Sequence, residues 1–313
     1  ILTESEYGVT DLLIQTGNFL IPLVSLGILN AVLRFGLDDK ADKSCIFTTG
    51  LLVIVTGSCI LALFCPLLQN ISLMSDYTIL LLLYVLMANI HSLCGSMAQA
   101  MGRIRLYAVS GILCTASVVG LNILLLSVFR LGITGYVLSN VIADAFTALL
   151  LFFCLRLWKY FRPAALKRSV IKRMFSYCLP LIPATVCSWI INISDRYFIS
   201  YMIGSDVSGL YAIANKISTI LLIASGIFTS AWQISIVSQR SKQEQERFFS
   251  NVFSVYEAGI LIGASVLMAA SRLIMRFLAA PDYYEAWHYA PVLVLGMAIA
   301  CLGSFFSSIY VAE

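Results

Sequence analysis

Residues 78–98 read TILLLLYVLMANIHSLCGSMA, twenty-one positions without a single Asp, Glu, Lys or Arg. At about 1.5 Å of rise per residue, such a run crosses the roughly 30 Å hydrocarbon core of a bilayer as one helix. Outward from it, eight further stretches are long and apolar enough to do the same: 12–33, 44–65, 107–128, 136–157, 175–200, 209–237, 252–276 and 291–312. None shows the short alternating pattern of a transmembrane strand. Composition agrees, with 60% hydrophobic residues, mean hydropathy +0.92 and 12% charged residues, about half of the roughly 25% charge usual in soluble domains. These figures exclude disordered, collagen-like, disulfide-scaffold and nucleic-acid-binding classes. The expected fold is an all-α integral membrane protein, a polytopic helical bundle, with the lipid bilayer as its solvent.

The loops set an orientation. Alternate connections carry Arg34, Lys40 and Lys43, then Arg103 and Arg105. They continue with Arg156, Lys159, Arg162, Lys167, Arg168, Lys172 and Arg173, and end with Arg240, Lys242 and Arg247. The opposite connections carry Arg130 alone, so fifteen basic residues face one. The positive-inside rule then puts the basic loops in the cytoplasm of a multi-pass cell-membrane protein. It puts Ile1 outside, which implies a helix before it. Ile1 in place of Met, and a chain that stops at Glu313 without a polar tail, predict a fragment lacking both ends.

The connection over 158–174 reads as a basic amphipathic linker, with Leu166, Val170 and Met174 on one face and Lys167, Arg168, Lys172 and Arg173 away from it. It divides the chain into an N-terminal lobe (1–157) and a C-terminal lobe (175–313). A weak repeat supports two lobes: span 12–33, entered through Tyr7-Gly8-Val9, resembles span 209–237, entered through Gly209-Leu210-Tyr211. Related halves are a common transporter design.

Polar residues inside spans carry the functional signal, because positions three and four apart share a helix face. Span 175–200 carries Thr185, Ser188, Asn192 and Asp195, with Arg196 beside them; span 209–237 carries Tyr211, Asn215, Ser218, Ser225, Thr229 and Gln233, with Lys216 adjacent. Gln15, Asn18 and Ser25 mark span 12–33; Asn89, Ser92, Ser96 and Gln99 mark span 78–98, near His91; Asn140, Asp144 and Thr147 mark span 136–157. Counting residues puts Arg196, Lys216 and Asp144 each about 12 Å from the external face. Each would cost about 2.5–3.5 kcal/mol or more against lipid, so a shared hydrated cavity, attractive to an anion, is expected. The alternative is a buried Asp195–Lys216 or Asp195–Arg196 pair that only joins helices. His91 likewise reads either as an interhelical hydrogen-bonding group or as a proton carrier.

Other features are weaker. Nine cysteines contain no CxxC pair, and the two histidines, His91 and His288, are far apart; ligand spacing therefore predicts neither a metal site nor a cofactor. Pro22, Pro180 and Pro183 predict kinks. Gly259 and Gly263 have the spacing of a helix-packing motif. The sequons at Asn70 and Asn192 read as chance matches.

Three segments in order, Leu179-Pro180-Leu181-Ile182-Pro183, Ser194-Asp195-Arg196-Tyr197-Phe198-Ile199 and Gly209-Leu210-Tyr211-Ala212-Ile213-Ala214-Asn215-Lys216-Ile217, with Tyr7-Gly8 and Leu33-Arg34-Phe35 upstream, resemble the polysaccharide-transport family. That family belongs to the superfamily of multidrug, oligosaccharidyl-lipid and polysaccharide exporters. The resemblance covers essentially the whole chain and implies 12–14 helices in two pseudo-symmetric lobes around a central cavity, about nine of them present here. It implies transfer of an undecaprenyl-diphosphate-linked repeat unit, for O-antigen, capsule or exopolysaccharide, from the cytoplasmic to the external leaflet by alternating access. Family members often carry a proline where Ile234 stands after Ala231-Trp232-Gln233.

On the resemblance, Arg196 and Lys216 would attract the diphosphate, with Asp195 moderating the charge and Arg34 at the internal mouth. Asn18, Asn192, Asn215 and Gln233 would hydrogen-bond sugars. H+ or Na+ is the candidate coupling ion, through Asp144, Asp195 or His91, and polysaccharide polymerase machinery is a candidate partner. No covalent catalysis is expected. The rivals are a multidrug or toxin exporter of the same superfamily, which would favour a more acidic cavity, and a membrane glycan polymerase or ligase. The latter needs catalytic groups on substantial external loops, and the loops here are short.

Overall fold

The structure, a computed structural model, describes residues 2–38, 42–64, 75–163, 166–236 and 242–312. Lys40, Asn70 and Arg240 lie outside the described residues, as do the side chains of Asn192, Gln233, Lys242 and Arg247. Among the described residues there are helices and no strands. In chain order they are α1 (Glu4–Val24), α2 (Ile28–Gly36), α3 (Lys43–Leu63), α4 (Thr78–Ala100), α5 (Ile104–Asn122), α6 (Gly132–Cys154), α7 (Arg168–Cys178), α8 (Leu181–Met202), α9 (Ser205–Ile236), α10 (Lys242–Leu278) and α11 (Ala290–Ala312). α5 runs on into a π-helical turn, Ile123–Val128, and a 3-10 segment, Pro281–His288, precedes α11.

Among the described residues, six helices are long and apolar enough to cross a membrane unaided, and three bent pairs bring the total to as many as nine. The span drawn over 12–33 is one of those pairs: α1 and α2 meet at 57°. The break follows from local chemistry. Pro22 lacks the N–H that a continuous helix would use, and the chain then closes a C-terminal cap in which Gly27 N–H donates to the Pro22 carbonyl at 3.2 Å. Gly27 sits at φ +65°, where a Cβ is disfavoured. The span over 175–200 is also divided, at Leu179-Pro180, with a 40° bend between α7 and α8. The linker segment opens with a 3-10 turn, Leu157–Lys159, and becomes α-helical at Arg168; its apolar face closes inward, with Met174 and Cys178 fully buried and Val170 packed beside them.

Contacts within the chain define two compact units, one on Val9–Met202 and one on Thr3–Gly8 with Ile203–Glu313. In the first unit, Ile28 and Val32 of α2, Phe47 and Ile54 of α3, Leu93 and Met97 of α4, Leu151 of α6 and Met174 of α7 form the main core. A smaller cluster joins Leu13 of α1 to Tyr84 of α4 and Val137 of α6. In the second unit, Ile217 and Leu221 of α9 meet Tyr256 and Ile260 of α10 and Val294, Ala298 and Phe305 of α11. The second unit also holds a close backbone crossing at the paired motifs Tyr7-Gly8 and Gly209-Leu210-Tyr211. A Cβ on Gly8 would stand 2.2 Å from the Ser205 carbonyl oxygen, and one on Gly209 would stand 2.2 Å from that of Glu4. The spacing at Gly259 and Gly263 is not such a crossing: Gly259 faces open space and Gly263 only touches Leu221.

Within the first unit the basic loops gather at one end, as their alternation predicts. Lys43, Arg103 and Arg156 line one depression. Asp42 caps α3 by accepting the Cys45 N–H at 3.3 Å, and it also accepts from Lys167 Nζ at 3.0 Å. The Lys167 ammonium, then the Cys45 N–H, hold the Asp42 carboxyl below its ordinary value, and Asp42 in turn raises Lys167.

Two expectations follow. Gly27→Ala, which places a Cβ at positive φ, lowers stability by about 1–2 kcal/mol, read as the thermal midpoint of the purified chain. For Asp42 the depressed carboxyl contributes fully above the ordinary value of 3.8 and loses that contribution as the pH falls through the depressed one. The gap in midpoint between wild type and Asp42→Asn is therefore present near neutrality and closes on acidification.

Candidate functional site

The first unit answers the question posed by Arg196. Its guanidinium is buried and pairs through Nη1 with the carboxylate of Asp11 on α1. Five residues further along α1, the Thr16 hydroxyl donates to the Leu12 carbonyl and accepts from Tyr197 OH, each at 2.6 Å. Consecutive residues of α8, Arg196 and Tyr197, are thereby fastened to two successive turns of α1. Asp195 turns its Oδ1 to the backbone N–H of Arg196 at 2.8 Å. Asp11, the partner of Arg196, lies outside the polar stripes that the sequence singles out. It stands one position before the apolar run that begins at residue 12, and its four- and seven-residue spacing to Gln15 and Asn18 was the available signal.

Elsewhere in this unit, Asn18 Oδ1 accepts from Tyr84 OH at 3.0 Å, which joins α1 to α4. His91 Nδ1 lies 2.8 Å from Asp144 Oδ1, and Cys114 Sγ lies 3.6 Å from the same oxygen. Thus two of the ion-coupling candidates, His91 and Asp144, form one pair between α4 and α6. Arg34 is exposed at the end of α2, its guanidinium 5.1 Å from the centre of the Tyr177 ring.

The second unit holds Lys216 and Asn215. Lys216 Nζ lies over the Tyr7 ring, 5.1 Å from its centre, so a cation–π contact shields an ammonium that lipid would reject. Tyr7 packs edge-on against Tyr283, whose OH donates to the Thr3 carbonyl at 2.9 Å. Ser5 and Ser205 share a hydrogen bond of 2.7 Å beside the glycine crossing. Asn215 Oδ1 accepts from Ser218 at 2.7 Å. Deeper in, Ser225 donates to Tyr256 OH at 2.6 Å, and Tyr256 donates to the Cys301 carbonyl at 3.0 Å. α9 runs through Ile234 to Ile236 without a break.

What the arrangement can do is bind a charged group by exchange of partners. The guanidinium offers a planar fork suited to carboxylate or phosphate oxygens, and Asp11 occupies it. Breaking the pair from one side leaves a buried, uncompensated charge. Asp11→Ala is accordingly expected to cost about 3–5 kcal/mol, while Asp11→Leu with Arg196→Leu recovers most of that loss; the thermal midpoints of the two purified variants measure it.

Residues 1–233 match the family described as polysaccharide biosynthesis protein. No curated protein sequence matches the chain. Among solved structures the fold is similar to one described as the inward-facing conformation of a multidrug resistance MATE family transporter of the MOP superfamily. The TM-score is 0.69 at 13% identity, covering 100% of this chain and 84% of the other. At that identity the likeness concerns the fold. With the family match spanning most of the sequence, the chain belongs to the polysaccharide biosynthesis protein family, and its many apolar helices make it a polytopic membrane protein.

Proposed function

We propose that the protein moves polyprenyl-diphosphate-linked oligosaccharide units from the cytoplasmic to the external leaflet of the cell membrane, with its basic loops on the cytoplasmic side. The observation that carries this reading is a buried guanidinium, Arg196, in a bundle whose family is named for polysaccharide biosynthesis. The head group of such a substrate is what hydrocarbon excludes, whereas its polyprenyl tail remains in lipid. A cation held ready inside the bundle lowers the barrier for the diphosphate. Asp11 keeps that cation neutralised until phosphate oxygens replace the carboxylate, which limits the cost of an empty site. Lys216 is the second cation in this scheme. Asn18, Asn192, Asn215 and Gln233 serve the sugars, Asp195 tempers the charge, and Arg34 stands at the internal mouth. Two lobes that open alternately to each side complete the mechanism. His91 with Asp144 is the candidate pair for coupling to H+ or Na+, alongside Asp195, and polymerase machinery is the candidate recipient of the translocated unit.

A second reading has its own support. Asp11 and Asp144 place two carboxylates among the helices of the first unit. Acidic interiors suit cationic drugs, and the structurally similar transporter is described as a multidrug resistance protein.

The two readings part on one experiment. In cells lacking the gene, Arg196→Ala with Lys216→Ala is expected to reduce surface-glycan export at least about tenfold, since each charged hydrogen bond is worth about 1.5–3 kcal/mol. Lipid-linked oligosaccharide accumulates inside. Undiminished export at normal protein abundance rejects the assignment, and altered resistance to cationic dyes favours the second reading.

A further inference from the structure

His91 on α4, Cys114 on α5 and Asp144 on α6 come together inside the first unit, with one donor atom from each within 4.8 Å of the other two. The His91 and Asp144 side chains retain 20% and 15% exposure, so the cluster lies at the edge of the packed interior rather than sealed within it. A histidine–carboxylate pair is already complete as a helix-joining hydrogen bond. The thiol donates to the same Asp144 oxygen, and its sulfur is what sets the character of the cluster. Hard cations such as Na+ or Mg2+ prefer all-oxygen sites, whereas a nitrogen, a sulfur and an oxygen form the mixed donor set of Zn2+ and its neighbours. Around a tetrahedral ion, with bonds of about 2.0–2.3 Å, such donors stand about 3.3–3.8 Å apart. The present separations reach that geometry with side-chain adjustments of about 1 Å.

We propose that His91, Cys114 and Asp144 form a three-ligand site for a divalent transition metal of the Zn2+ class, with the fourth position open to water. Binding deprotonates the Cys114 thiol and passes its proton to water. The consequence is mechanical as well as chemical. Between Ile104 and Asn122, Ser110 is the one fully buried residue of α5, and the helix packs mainly along α6 and much less on α4. A metal on Cys114 would fasten α5 to α4 and α6. The site does not depend on the translocation reading, and its failure would leave that reading intact; a bound metal would occupy the His91–Asp144 pair and leave Asp195 as the coupling candidate.

The test is a Co2+ titration of the purified full chain, followed by thiolate-to-cobalt absorption. One cobalt per chain is expected, displaced by Zn2+ and not by Mg2+. Cys114→Ser is expected to abolish the absorption, and His91→Asn to weaken affinity by at least about tenfold. Absence of thiolate absorption in the wild type, or its persistence in Cys114→Ser, overturns the proposal. Should Cys114→Ser fail to fold, alkylation of the wild-type chain decides. Protection of Cys114 by Zn2+, with Cys59 and Cys154 labelled as before, supports the site; failure of Zn2+ to protect it, with Cys114 labelled equally with and without the metal, or unlabelled in both together with no cobalt absorption, overturns it.

Discussion

A charged side chain inside hydrocarbon has no water to solvate it, and the pair of Asp11 with Arg196 meets that constraint. Neither α1 nor α8 enters the main core of the first unit, so their mutual attachment depends on it. The pair brings α1 against α8, and the Thr16–Tyr197 hydrogen bond, one turn away, fixes their rotation. The ion pair is not strong because it is buried; it is costly to break because burial leaves the orphaned charge without a substitute. On the proposed function, that asymmetry suits the pair to exchange with a phosphate-bearing ligand, which would supply new oxygens as the old ones leave.

Backbone breaks are the second organising feature. Among the described residues, two of the three bent helix pairs, α1–α2 and α7–α8, interrupt spans that composition alone would draw straight. At α1–α2 the freed groups are satisfied locally, by the Gly27 N–H on the Pro22 carbonyl and by Cys178 Sγ donating to the Gly27 carbonyl at 3.3 Å. Irregular backbone at membrane depth is tolerable only when protein or water replaces the lost hydrogen bonds. Here a side chain of α7 does so, and the break is thereby tied to the core that Met174 and Cys178 enter.

Hydropathy made the spans legible, because a bilayer demands length and apolarity from each crossing. The gathering of Lys43, Arg103 and Arg156 at one end of the first unit was legible for a similar reason: alternation of loop charge follows from alternation of helix direction. The breaks were harder to read. Pro22 announced one, but its position lies at Ser25–Gly27, where the cap closes. Polar stripes were over-read in part. Thr185 and Ser188 donate to carbonyls four residues back, Leu181 and Ala184, so these hydroxyls satisfy their own helix and need no wet face. Asp11 and Cys114 were passed over for opposite reasons. One stands just outside an apolar run, beyond the stripes that span hydropathy picks out; the other stands inside a run, where a thiol packs as a small hydrophobe. Partners on helices 185 and 30 residues away gave each its role, and no local pattern encodes such distances.

Reconstitution offers the most direct test. The purified protein would be placed in sealed vesicles with a fluorescent polyprenyl-diphosphate oligosaccharide, and the appearance of its sugar on the opposite leaflet followed with a membrane-impermeant reagent. The account predicts protein-dependent transfer of the diphosphate-linked glycan and little transfer of the same glycan on an uncharged polyprenyl lipid. Equal transfer of the charged and uncharged lipids would contradict it, as would no transfer of either alongside uptake of a cationic dye.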